Sequence, residues 1–208
     1  MFLNIIMNWL YFLKILDPNL VWIIGSSIVR NAFVHARKSS VGINLGLSRV
    51  GLQLSWQGYG GMTTCDVMSK VRNLMRFENS PSYVVLHVGG NDLGHVKVGF
   101  LRNRIKNIIR KIKALLPNAR IIWSEILPRN QWRYSQNHDA MNRARKRINS
   151  LIGAFVLQLG GYYIQYPDIA LDVQFLKRDV VHLTDLGNEI FLNTLQGALE
   201  SFVLSVSS

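Results

Sequence analysis

The hydrophobic positions of this chain follow two alternating patterns. Short, continuous apolar runs, typical of strands buried on both faces, are separated by longer segments whose apolar residues recur every three or four positions. The short runs predict β-strands at residues 20–24, 50–54, 83–88, 121–124 and 162–165. The longer segments predict helices from residue 27 onward, over 63–75, 101–116 and 139–157, and after Thr184, which we expect to cap the last helix.

Strands that alternate with helices predict a parallel sheet covered by helices on both faces. The 208 residues are enough for one such domain with its own core. Because 49% of the residues are apolar and only 17% are charged, the composition excludes a disordered chain. We therefore predict a single α/β domain over residues 19–205.

The first 18 residues form an apolar extension that precedes the predicted domain. Asn4, Asn8 and Lys14 interrupt it, so we expect no transmembrane span, which requires about 20 apolar residues. The segment also lacks the basic start and the small-residue cleavage site of a signal peptide. Because the two asparagines fall on one helical face, we expect an amphipathic packing helix; an N-terminus that is not native to the domain is the alternative.

The positive charge of the chain is concentrated in one quarter of its length. The net charge is +12, and between Lys97 and Arg147 there are 14 Lys and Arg residues but two acids, so the rest of the chain is neutral overall. This predicts a local basic face that attracts nucleic acid or an anionic surface, with an ordinary solvated helix surface as the alternative. The predicted face consists of Arg102, Lys106, Arg110, Lys113, Arg143, Arg145, Lys146 and Arg147.

The cysteine content restricts both the chemistry and the compartment. Cys65 is the single cysteine, which excludes an internal disulfide framework and, without a Cys–His cluster, argues against structural zinc. We expect a cytoplasmic protein, with secretion as the alternative.

Four short motifs carry the candidate chemistry, and the first three are predicted at carboxyl ends of strands. They are Ile24-Gly25-Ser26-Ser27, Gly58-Tyr59-Gly60-Gly61, Gly89-Gly90-Asn91-Asp92 and Asp179-Val180-Val181-His182. Ligands of open α/β sheets bind at that edge. Each motif alone also has a structural explanation as a cap or a turn. Together they supply a serine, backbone donors, an amide donor and a carboxylate–imidazole pair, which are the parts of a serine esterase.

Each of these residue types fits a defined role. Ser27 opens a helix, whose N-terminus places backbone N–H groups and positive potential beside the hydroxyl. Gly61 allows its N–H to approach a ligand closely, and the Asn91 side chain offers a further donor. Asp179 lies three residues before His182, a spacing that lets the carboxylate hold one imidazole nitrogen while the other faces Ser27.

In these motifs the chain resembles the SGNH-hydrolase superfamily, also called GDSL-type esterases. The family's Gly-Asp-Ser block corresponds to Gly25-Ser26-Ser27, and its second-block glycine to Gly61. Its Gly-x-Asn-Asp block is matched by residues 89–92 and its Asp-x-x-His block by residues 179–182. The middle of the chain looks closest to the platelet-activating-factor acetylhydrolase-like branch and to the esterase domains of some LINE-type retrotransposons.

This resemblance implies a three-layer α/β/α fold with a flavodoxin-like parallel five-stranded sheet. It also implies hydrolysis of a small carboxylic ester through Ser27, His182 and Asp179, with the Ser27 N–H, Gly61 N–H and Asn91 amide as oxyanion hole and no cofactor or metal. One position departs from the family: Ser26 replaces the aspartate that shapes the nucleophile turn, so activity could be reduced or absent. That aspartate is not the triad acid.

Two other functions remain open from the sequence. A weakly active or inactive esterase-fold domain that binds nucleic acid through the basic face suits a protein derived from a mobile element. Attachment to an anionic membrane through the same face and the apolar N-terminal segment is the third alternative.

Overall fold

A parallel five-stranded sheet forms the centre of the structure. The computed structural model of the chain describes residues 19–177, 179 and 181–205. The strands are β1 (Asn19–Gly25), β2 (Leu52–Gly58), β3 (Tyr83–His87), β4 (Arg120–Ser124) and β5 (Tyr162–Ile164). Their spatial order is β2-β1-β3-β4-β5, and all neighbours are parallel. This is the flavodoxin-like order.

Helices cover both faces of this sheet. They are α1 (Ser27–Ala36), α2 (Val67–Phe77), α3 (Val98–Leu115), α4 (His138–Gln158) and α5 (Asp185–Leu204). Thr184 caps α5 as predicted, because its hydroxyl accepts a hydrogen bond from the Gly187 N–H at 3.1 Å. The sheet with helices on both faces confirms the predicted three-layer α/β/α fold.

Several element boundaries differ from the prediction by a few residues, and two of these differences have a local reason. Helix α2 begins at Val67 rather than at residue 63, because the Asp66 carboxylate accepts hydrogen bonds from the Thr63 N–H and hydroxyl and forms a turn there. Strand β2 begins at Leu52 rather than at residue 50, because Leu47–Val50 form a short 3₁₀-helix that ends at Gly51.

The side chains of β1, β3, β4 and β5 alternate between two cores, whereas the apolar side chains of the edge strand β2 lie in one of them. In β1, Trp22 and Ile24 pack with the apolar residues of α2, α3 and α4. Val21 and Ile23 pack with those of α1 and α5 on the opposite face. This alternation, which follows from the two-residue period of a strand, explains why the strands read as continuous apolar runs.

The register of the central strands brings three predicted motifs to one level. Strand β1 lies between β2 and β3, and its last residue, Gly25, is level with Gly58 and with His87. Because the strands are parallel, the loops that follow them leave the same edge of the sheet. The crevice between β1 and β3 is thus where a ligand of this fold binds.

The N-terminal extension, residues 1–18, lies outside the described residues, so its predicted helix stays a prediction. Within the described part of the chain, no helix is both long enough and apolar enough to cross a membrane.

His87, at the end of β3, is buried in the core with a polar network around it. Its Nδ1 lies 3.0 Å from Ser124 Oγ, which in turn lies 2.7 Å from the Tyr166 hydroxyl. Burial, and secondly the positive charge of Arg129, lower the pKa of the His87 imidazole to about 3. The ring is therefore neutral in the folded protein at neutral and mildly acidic pH.

This histidine makes the stability of the fold depend on pH. Unfolding returns the pKa of His87 to about 6.5, so the unfolded state binds the extra proton and stability falls as the pH falls below that value. We expect wild-type protein to lose roughly 2 kcal/mol more between pH 7 and pH 5 than a His87→Gln variant, measured by urea unfolding. An equal pH dependence in the two proteins would contradict this assignment.

Candidate active site

Three side chains from two distant parts of the chain form a hydrogen-bonded row at the predicted edge of the sheet. The Ser27 hydroxyl lies 2.9 Å from His182 Nε2, and His182 Nδ1 lies 2.6 Å from Asp179 Oδ2. These are the serine, imidazole and carboxylate that the motifs indicate. The structure therefore brings together two residues that are 155 positions apart in sequence.

The position of Ser27 follows from the turn between β1 and α1. Ser26 occupies the N-cap position with an extended backbone, and its side chain makes no capping hydrogen bond. Ser27 is the first residue of α1, so its N–H is one of the four that have no partner within the helix. The hydroxyl and the N–H of Ser27 are thus both available at the start of α1.

The loop before α5 holds the carboxylate against the imidazole. Asp179 Oδ1 accepts hydrogen bonds from the N–H groups of Val181 and His182, at 3.1 Å and 2.9 Å, while Oδ2 faces the ring. Burial raises the pKa of Asp179, but these backbone and imidazole hydrogen bonds outweigh it and lower the pKa to about 2. An ionised Asp179 accepts the Nδ1 proton of a neutral ring and leaves Nε2 free to accept from Ser27.

The two predicted donor residues, Gly61 and Asn91, line the same cleft as Ser27 and His182. This cleft has a volume of about 430 Å³. Gly61 has a φ of 75°, a left-handed conformation that residues with a side chain rarely adopt. One N–H of the Asn91 amide donates to the Met62 carbonyl at 2.9 Å, which fixes the side chain and leaves its second N–H.

A buried carboxylate that the sequence analysis did not single out connects these two donor loops. Asp92 is 3% exposed and accepts hydrogen bonds from the Thr64 N–H and, at 2.6 Å, from the Thr64 hydroxyl. The guanidinium of Arg104 lies 3.7 Å away. Asp92 therefore holds the loop after β2 against the loop after β3. Its position next to Asn91 in the third motif could have indicated a role in this site.

Arg129 is a second residue of the cleft that the sequence analysis missed. It follows β4 and donates to Asn91 Oδ1 at 3.2 Å, so it helps to orient the amide. In sequence it was one of 14 basic residues between Lys97 and Arg147, and nothing distinguished it from the others.

The predicted basic face is only partly a surface of free charges. The prediction was wrong for Arg145, which is 6% exposed because it points inward, donates to the Ile126 carbonyl at 2.8 Å and lies 3.7 Å from Glu125. Lys106 and the exposed Arg110 both lie over the ring of Phe155, which joins α3 to α4.

The other members of the face differ in their surroundings. Lys113 donates to the carbonyls of Pro117 and Ala119 and so holds the turn that follows α3. Arg102 is half-buried beside Asn103, to whose side chain it donates. Arg143, Lys146 and Arg147 are exposed on α4. Much of this positive charge therefore serves packing and helix ends.

The described residues offer no evident place for a metal. Among them, no group of three or more His, Cys, Asp or Glu side chains is arranged to hold an ion. Cys65 is free and exposed.

Solved structures of other proteins have a similar fold. The fold is similar to that of a GDSL-like lipase from Bacteroides thetaiotaomicron (TM-score 0.67, 20% identity, covering 88% of each chain). It is also similar to a Clostridium thermocellum family 3 carbohydrate esterase (0.67, 18%, covering 92% of this chain and 100% of that one). The esterase EstA from Pseudoalteromonas sp. gives 0.65 at 16% identity, covering 89% and 98%.

The sequence model of the GDSL-like lipase/acylhydrolase family matches residues 23–190, and the chain belongs to this family. The resemblance inferred from the four motifs is thereby confirmed. A search of curated protein sequences found no significant match.

The Asp92–Thr64 contact predicts a large loss of stability on truncation. Asp92→Ala leaves the buried Thr64 N–H and hydroxyl without acceptors, so we expect a loss of about 2–4 kcal/mol in the free energy of unfolding, measured with urea. Asp66→Ala is the matched control, because that carboxylate makes the same two bonds to Thr63 within one turn but is more exposed. A similar loss in both variants would argue against a special role for Asp92.

Proposed function

We propose that this protein is a serine esterase that hydrolyses a small carboxylic ester through an acyl-enzyme. The observation that carries the proposal is the row of hydrogen bonds from Ser27 through His182 to Asp179, at 2.9 Å and 2.6 Å. Membership of the GDSL-like lipase/acylhydrolase family supports ester hydrolysis as the reaction class. The names of the neighbours, a carbohydrate esterase and the esterase EstA, agree with that class.

In the proposed reaction, His182 Nε2 accepts the proton of the Ser27 hydroxyl as its oxygen attacks the ester carbonyl. The resulting imidazolium is stabilised by Asp179, whose low pKa keeps it ionised. His182 then gives the proton to the departing alcohol, which leaves the acyl group on Ser27. Water activated by the same imidazole releases the acid and restores the serine.

Three donors are proposed to stabilise the oxyanion of the tetrahedral intermediate. These are the N–H of Ser27 at the start of α1, the N–H of Gly61 and the free N–H of the Asn91 amide. The loss of one such donor typically lowers the rate by about 10²–10³-fold.

The serine at position 26 does not remove any of these groups. Ser26 still precedes α1 with an extended backbone, and its carbonyl accepts the first helical hydrogen bond from the Arg30 N–H at 3.2 Å. The nucleophile turn is therefore formed without an aspartate, which supports activity rather than its loss.

The nucleophile is tested by covalent labelling. We expect a fluorophosphonate probe to modify Ser27 in the wild-type protein, and a Ser27→Ala variant to lose both labelling and hydrolysis of 4-nitrophenyl acetate. Ser26→Ala is the control, because Ser26 is buried next to the nucleophile and is not hydrogen-bonded to His182. Labelling at another serine, or equal hydrolysis by Ser27→Ala, would refute the proposal.

The role of Asp179 is tested by its amide. Asp179→Asn can donate to His182 Nδ1 and so favour the wrong tautomer, for which we expect kcat to fall by about 10³–10⁴-fold. Asp139→Asn, an exposed change outside the cleft, is the control. Because the pKa of Asp179 is about 2, the carboxylate stays ionised in the wild type above about pH 3. An acid limb of the wild-type rate profile that lies above about pH 3 therefore cannot come from Asp179. We expect such a limb to persist in Asp179→Asn.

A further inference from the structure

The cleft around Ser27 is lined by more positive charge than the proposed reaction uses. Arg30 comes from α1, and Arg129 and Arg133 come from the segment between β4 and α4. Among the described residues that line the cleft, Asp179 is the single carboxylate, and it is hydrogen-bonded to His182. Three arginines therefore line the cleft of the reacting serine, and no carboxylate of the cleft is left to balance them.

Arg129 is the innermost of the three. Its Nη2 donates to Asn91 Oδ1 at 3.2 Å, and its guanidinium carbon lies 5.1 Å from the centre of the Trp132 ring. It also lies against the backbone of Gly90, where an added Cβ would approach Nη2 to 2.7 Å. The charged end of Arg129 is thus held beside the proposed oxyanion donors by neutral groups.

Three other arginines that fold against the protein have an acidic partner. Arg145 lies 3.7 Å from Glu125, Arg104 lies 3.7 Å from Asp92, and Arg49 lies 2.6 Å from Glu200. Within the described residues, no carboxylate lies within ion-pair distance of Arg129. Arg129 is half-buried, and a charge that is partly withdrawn from water is costly unless it is paired. A guanidinium is suited to bind a carboxylate, sulfate or phosphate with two hydrogen bonds.

The charge of Arg129 persists at neutral pH. Burial, and secondly repulsion by Arg133, lower its pKa to about 10, which is still far above neutrality. The same two causes disfavour the cation, and a bound anion offsets both through charge-assisted hydrogen bonds.

We propose that the substrate is an ester that carries an anionic group, such as a carboxylate, sulfate or phosphate, and that Arg129 binds this group inside the cleft. Arg133 and Arg30, which are exposed, attract the anion at the rim. This inference rests on the proposed esterase function and names its substrate class.

The binding test uses esters that differ by one charge. One pair is 4-acetoxybenzenesulfonate and 4-acetoxybenzenesulfonamide, with the charge on the alcohol side. The second pair is the 4-nitrophenyl monoesters of adipic acid and adipamic acid, with the charge on the acyl side. In a Ser27→Ala protein, we expect calorimetry to show the charged ester of at least one pair bound about 10-fold or more tightly than its neutral twin. This preference should fall as salt is added.

Turnover by the catalytically intact protein gives the second readout. We expect the ratio of kcat/KM for the charged ester to that for the neutral ester to fall by about 10-fold in Arg129→Gln. Arg143→Gln is the matched control, because it removes the same charge from an exposed position outside the cleft and should leave the ratio unchanged. If Arg129→Gln does not fold, the double change Arg30→Gln with Arg133→Gln should lower the ratio about threefold.

The outcomes separate the two proposals. A charge preference that is lost in the cleft variants and kept in Arg143→Gln supports the anion site. No preference in either pair, or a preference unaffected by the cleft variants, overturns it while leaving ester hydrolysis intact. Charge-selective binding without any Ser27-dependent turnover would instead overturn the esterase function and leave the anion site standing.

Discussion

Parallel pairing of β1 with both β2 and β3 is the constraint on which the site depends. Gly25 is level with Gly58 and His87, so the segments that carry Ser27, Gly61 and Asn91 all begin at one edge of the sheet. Two cores, one on each face of the sheet, hold this register, because the side chains of β1 and β3 alternate between them. A slip of one residue would exchange these cores and separate the three segments.

Two carboxylates then fix the loops that leave this part of the fold. Asp92 is buried and binds Thr64, which ties the loop after β2 to the loop after β3. Asp179 organises its own loop through two backbone N–H groups before it meets His182. Both carboxylates accept several hydrogen bonds from fixed donors, and at Asp179 these bonds lower the pKa of the carboxyl group. The donor loops and the imidazole are thus positioned independently of each other.

The positive charge of the chain has more than one use. Part of it stabilises the fold, as where Lys113 holds the turn after α3 and Arg145 lies beside Glu125. A smaller part, Arg129 and Arg133, lines the cleft without forming an ion pair to a described carboxylate, and Arg129 contacts Asn91 there. The difference between these groups lies in the acids available near each guanidinium, not in the local density of basic residues. Net charge alone therefore says little about which partner a basic segment attracts.

The sequence by itself determined the order of strands and helices, the parallel sheet and the residues that could carry acyl transfer. These features depend on hydrophobic periodicity and on short motifs, both of which are local. Only the tertiary structure decided that Asp92 reaches Thr64, that Arg145 turns inward and that Arg129 faces the cleft. An arginine has a long, flexible stem, so its direction depends on which acids and cavities the packed elements place around it. Those neighbours are distant in sequence, and no pattern along the chain encodes them.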